Sequence, residues 1–145
     1  MRVIYTSEDV RRLRGIAGVP PALAEAIAAA FLGLFEMVCD GLFEPGAEGE
    51  ALEAFTLERC GPIAVLEPGD GPGAWACLGL PGGLEQNRPE WANRQDYDGR
   101  AYYNALVLLN NEVCVSLFIP PGVVDATDQA ILDDEAGVVA EGVPA

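Results

Sequence analysis

The 145 residues carry 23 acidic side chains against eight arginines, with neither lysine nor histidine, for a net charge of −15. Without histidine, Ser-His, Cys-His and His-metal chemistry are excluded, and the charge opposes binding to nucleic acid or to an anionic membrane. A chain of this length suits one domain whose core needs no disulfide or metal staple.

Arg2–Thr6 reads as a strand through Val3, Ile4 and Tyr5. Thr6, with Asp9 three residues on, predicts a capped helix to about Gly15. Gly18 and Pro20-Pro21 end it and open a second helix to about Asp40. Two apolar stripes, one through Leu23, Ile27, Phe31, Leu34 and Val38 and one through Ala28, Leu32, Phe35 and Cys39, predict that this helix is central and buried. Arg11–Arg14 before an apolar run has the outline of a signal peptide, but Glu8, Asp9, Pro20-Pro21 and Glu25 break it. The uncharged stretches Gly15–Ala24 and Ala26–Phe35 are each well short of the ~20 residues that span a bilayer.

Asp40–Gly49 is a loop by its Gly and Pro content. Ala54–Cys60 and Pro62–Glu67 read as strands meeting at Gly61, with helix the competing reading for Ala51–Arg59. Glu67–Gly73 is a turn, Ala74–Leu80 a strand, and Pro81–Arg100 a long polar loop with one helical turn near Pro89–Arg94. Apolar runs on either side of Asn110-Asn111 predict a two-residue hairpin turn that pairs Leu109 with Glu112. That register puts Tyr102, Leu106, Leu108, Val113, Val115, Leu117 and Ile119 on a core face, with Asn104. The other face, with Tyr103, Ala105, Val107, Leu109, Glu112, Cys114, Ser116 and Phe118, is too apolar to stand in water and needs a cover or a partner. Asp125–Glu135 reads as a short helix, although Asp133-Asp134-Glu135 at its end oppose the helix dipole. Residues 137–145 are expected to be flexible. The whole is a single α+β domain: an N-terminal strand and two helices packed on a mainly antiparallel sheet with a C-terminal hairpin.

Cys39, Cys60, Cys77 and Cys114 form no C-x-x-C pair and have no histidine to complete a zinc site. Apolar neighbours around most of them predict buried, reduced thiols and a cytoplasmic protein. Gly69–Gly73 lacks the Gly-Lys-Ser/Thr ending of a phosphate loop. Asp96-Tyr97-Asp98-Gly99 is not a calcium loop, because Arg94 and Ala105 stand where ligands are needed. No metal or cofactor is expected.

Gln86–Asn104 gathers Arg88, Trp91, Arg94, Tyr97 and Arg100, residue types that dominate binding hot spots. The structural alternative makes Trp91 a core plug and pairs the arginines with nearby aspartates. Beyond Arg100 come seven acids and no base, among them Asp128, Asp133, Asp134 and Glu135. These are the candidate docking carboxylates. They predict a non-enzymatic acidic module that docks on a basic protein surface, including one that otherwise binds nucleic acid. Docking requires several of them, with Glu112 and Asp125, to share one exposed face free of arginine. The alternatives are a homo-oligomeric assembly subunit joined through the second hairpin face, or an enzyme using a carboxylate pair from Glu90, Asp96 and Asp98 with an arginine clamp.

Overall fold

The computed structural model describes residues 1–38, 48–58, 61–70, 73–109 and 113–137. Strand β1 (Arg2–Ile4) runs into helix α1 (Ser7–Leu13) through the anticipated cap. Thr6 Oγ1 accepts from the Asp9 N–H at 3.2 Å, while Asp9 Oδ2 accepts from the Tyr5 and Thr6 N–H groups at 2.9 and 3.1 Å. Three otherwise orphan donors are thereby satisfied at one helix start. Helix α2 (Pro21–Val38) follows, then α3 (Glu48–Ala54), β2 (Ile63–Val65), α4 (Gly73–Cys77), α5 (Gly83–Gln86), β3 (Trp91–Tyr97), β4 (Arg100–Leu109), β5 (Val113–Ile119) and α6 (Ala126–Ala136).

The protein is α+β, built on one five-stranded sheet in the order β1-β2-β5-β4-β3. Three of the pairings are antiparallel and one, β2 with β5, is parallel. The interior strand β2 is buried at all three residues, as expected of a strand covered on both faces. One face meets α1–α3 around Ile4, Ile63, Val65, Tyr102 and Phe118, with Leu23, Ile27 and Phe31 from α2. The opposite face meets α4–α6 around Tyr103, Ala105, Val107, Val115, Leu117 and Ile119, with Trp75, Leu84 and Leu132. Gly61, just before β2, lies so close to β5 that a Cβ would fall 1.8 Å from the Cys114 carbonyl oxygen.

Helix α2 is less buried than its two stripes imply. Leu23, Ala24, Ile27, Phe31 and Phe35 are buried, but Leu32, Met37 and Val38 are 41%, 70% and 46% exposed. The sheet occupies the centre instead, so α2 is a one-sided covering helix. By length and composition alone it is apolar enough to cross a membrane.

The hairpin register is displaced by one residue. Leu109 pairs with Val113, and Val107 with Val115, so residues 110–112 separate the strand ends where two were expected. An added residue in the connection rotates one strand relative to the other by a full alternation. Val113, Val115, Leu117 and Ile119 therefore share a face with Tyr103, Ala105, Val107 and Leu109, not with Leu106 and Leu108. Leu108 is 42% exposed, whereas Val107 is 1% exposed.

Residues 74–80 form α4 and a turn instead of a strand, because Ala74, Trp75 and Leu78 bury one helical side. The long polar loop at 81–100 contains α5 and β3. Its hairpin turn is Asp98-Gly99, with φ of 55° and 85°, the left-handed pair that suits a two-residue connection. The strand expected at Ala54–Cys60 reduces to the end of α3 and one bridge between Thr6 and Thr56. Arg59 and Cys60, the 39–47 segment, the Asn110-Asn111 turn and the 138–145 end lie outside the described residues. Helix α6 forms as expected, with Asp125 as its N-cap and Gly137 closing it in the left-handed conformation.

Candidate functional site

A strand turns alternate residues to opposite faces, and β3 divides the expected contact loop accordingly. Trp91 and Tyr97 lie on the α2 side of the sheet and Arg94 on the α6 side. Trp91 is 47% exposed and is no core plug. Tyr97 is buried, its hydroxyl 2.6 Å from Gln95 Oε1 and 3.1 Å from Asn104 Oδ1. The Asn104 amide in turn donates to Asn93 Oδ1 and Gln95 Oε1. Arg94 rests over the Tyr103 ring, 5.4 Å from its centroid. Arg100 donates to the Gly18 carbonyl at 2.6 Å. Arg88 leaves this group altogether and bridges α6, with Nη2 2.5 Å from Asp134 and Nε 2.6 Å from Glu135.

The C-terminal carboxylates are likewise distributed by their neighbours. Arg88 stands between Asp134 and Glu135, so these two do not form an arginine-free face. That cation also offsets the unfavourable acids at the end of α6. Asp133 accepts from the Tyr103 hydroxyl, which Gln129 also contacts at 2.9 Å. Burial and the neighbouring Asp133 charge push the Tyr103 phenol above its ordinary pKa. Glu112 lies outside the described residues.

Asp128 has a different setting. Only 4% exposed, it accepts from the Leu84 N–H at 3.1 Å, with the Trp75 indole and the Glu85 backbone as further donors. Its side chain thus caps α5 from another helix. Gly83 makes room for this contact: a Cβ there would sit 3.0 Å from Asp128 Oδ2 and 3.1 Å from Trp75. Burial, followed by the Asp125 charge, raises the Asp128 pKa above its usual value, and the Leu84 N–H opposes that shift.

Asp128 lies at the wall of a cavity of about 360 Å³ between the start of α5, α4 and the start of α6. Asp70, Glu85 and Asp125 join it there, with Leu66, Trp75, Val123 and Val124 as apolar lining and no arginine. Asp70 is already engaged by the Met1 ammonium at 2.7 Å and by the Glu67 N–H at 2.6 Å. Burial would lower the pKa of that ammonium, but its bonds to Asp70 and Glu67 prevail and raise it. Glu85 and Asp125 are exposed at the rim.

Of these residues only Asp125 and Asp128 stood out in the sequence. Val123-Val124 before an N-capping Asp125 was the available signal for the rest, since it places apolar wall and carboxylate side by side.

Glu90, Asp96 and Asp98 are exposed on β3 and its flanks. Asp96 holds the turn through the Gly99 N–H and Asp98 accepts from the Ala22 N–H, so neither is set in a cleft for acid–base work. Cys77 is exposed and Cys114 half-buried, both free thiols, which corrects the expectation of burial for Cys77. Among the described residues no group of three or more acidic or cysteine side chains is arranged to hold a metal ion. Compared with known proteins, the chain matches no family model, no curated protein and no solved structure.

Proposed function

We propose that this protein is a non-enzymatic acidic binding module that docks on a basic surface of a partner protein, of the kind that otherwise holds nucleic acid. The observation that carries the reading is the fate of the arginines. Of the seven described, five are paired with carboxylates: Arg2, Arg11, Arg12, Arg14 and Arg88. Arg94 lies over the Tyr103 ring and Arg100 donates to the Gly18 carbonyl, and the two positive charges are far outnumbered by the acids. The exposed carboxylates of Glu36, Glu50, Glu58, Glu85 and Glu90 keep no such counter-ion among the described residues. The outward field is therefore negative, and fields of one sign steer complementary partners.

The cavity beside Asp125 and Asp128 gives that field a focus. Its mixed lining fits an arginine or lysine side chain, whose apolar stem would lie on Trp75, Val123 and Val124 and whose head would meet Glu85, Asp125 and Asp128. Affinity capture from the native host tests the reading, using wild type and the Glu85→Gln/Asp125→Asn variant as baits at low and high salt. Asn retains N-cap function, so α6 survives the change. The expected result is a lysine- and arginine-rich partner, released by salt, weakened by the variant and hindered in binding nucleic acid by the wild-type protein. Capture that ignores both salt and the substitutions would contradict it.

A second reading, self-assembly, is favoured by the exposure of Trp91 and Leu108 on one face of the sheet, though not by the hairpin face first expected to assemble, which the register divides between the α6 side (Tyr103, Ala105, Val107) and the α2 side (Phe118).

A further inference from the structure

Strand β3 closes one side of the sheet, with β4 on its inner side and, among the described residues, no strand on its outer side. Trp91, Asn93, Arg94, Gln95 and Asp96 are exposed along it, and no proline interrupts it. Such an edge presents backbone donors and acceptors to an incoming strand. The chemistry of the strand identifies which one it fits.

On the α6 side of the sheet the β3 residues are Ala92, Arg94 and Asp96. A positive and a negative charge two positions apart make the strand complementary to itself when it runs antiparallel to its own copy. With Gln95 at the centre, Arg94 of each copy faces Asp96 of the other, twice by symmetry. The adjacent registers that keep side chains on their own faces are centred on Arg94 or on Asp96. These set Arg94 against Arg94, or Asp96 against Asp96, and like charges directly opposite are destabilising. We propose that β3 pairs antiparallel with β3 of a second copy in the Gln95-centred register, joining the two sheets through a closed twofold contact.

The surroundings of the two charges suit this role. The Tyr103 ring holds the Arg94 guanidinium on the correct face. Asp96 commits Oδ1 to the Gly99 N–H at 2.6 Å, which leaves its other oxygen for the second copy. Trp91, 47% exposed, comes beside the Asp98-Gly99 turn of the second copy. The strand Trp91–Tyr97 is also neutral within a chain of net charge −15, so two copies meet here with little local repulsion. This inference does not depend on the acidic docking reading.

Sedimentation equilibrium of the full chain in moderate salt tests it, at about 100 μM because a strand-edge contact is small and weak. Wild type is expected to approach twice the chain mass of 15.3 kDa. Arg94→Asp and Asp96→Arg should each weaken dimerisation roughly tenfold or more, because two attractive pairs become two repulsive ones. The Arg94→Asp/Asp96→Arg double variant should restore the dimer. An equimolar mixture of the two single variants should do the same, since each brings the charge the other lacks. Far-UV circular dichroism of every variant should match wild type. A wild type that stays monomeric, a dimer that neither single swap weakens, or single variants rescued by neither the double swap nor mixing would each overturn the proposal.

Discussion

Asp128 shows how one side chain serves packing and charge at once. Its carboxylate is buried at the start of α5, where it satisfies the Leu84 N–H and the Trp75 indole. Asp128→Ala strands both donors, and chemical denaturation should report a loss of about 1–3 kcal/mol. The pH dependence has a defined sign. A carboxyl whose folded pKa is raised holds its proton longer in the folded state than in the unfolded one. Its contribution to stability therefore falls as pH climbs from the ordinary value of 3.8 through the raised one. Asp128→Asn removes that contribution. The stability of this variant relative to wild type should accordingly rise across that window, measured by urea unfolding at a series of pH values. A difference independent of pH would mean that Asp128 titrates alike in both states. Sequence marked Asp128 only as one acid among seven. Its burial depends on Gly83 and Trp75, more than 40 positions away, and spacing along the chain carries no trace of that approach.

The elements divide by how local their causes are. The capping box at Thr6 and Asp9, the α2 span and the short helix α6 rest on contacts within a few residues, and each was legible. The register of β4 and β5 turned on one residue in their connection, and α4 and β3 on tertiary cover. For β3 a usable signal was present, because Asp98-Gly99 is a preferred hairpin pair, but the charges around it read as loop. Two substitutions test the resulting sheet. Val107→Asp puts a charge into the α6-side core, whereas Leu108→Asp meets solvent. The first should unfold the protein or cost several kcal/mol, and the second should change stability by less than about 0.5 kcal/mol. Equal effects in thermal unfolding would contradict the face assignment, and reversed effects would invert it. Gly61→Ala should cost about 1–3 kcal/mol, because the strands must move apart to admit a methyl group 1.8 Å from the Cys114 carbonyl oxygen.

At the scale of the molecule, a sheet covered on both faces carries arginines turned to internal partners and a surplus of carboxylates turned to water. The sign and size of the charge were legible from composition, but its placement was not. Asp134 and Glu135, adjacent in sequence and expected to be free, are held by Arg88 from the segment between α5 and β3. The acids at the cavity mouth, Glu85 and Asp125, are brought together by the meeting of α5 and α6. The proposed docking requires a basic side chain to seat there. It is tested most directly by NMR titration with a short arginine-rich peptide at low salt, following the Trp75 indole and Leu84 amide protons. Seating predicts saturable shifts concentrated at Trp75, Leu84 and Asp125, abolished by Glu85→Gln/Asp125→Asn and by salt that screens charges beyond about 8 Å. Shifts spread over the acidic surface, with Trp75 and Leu84 unmoved, would contradict it.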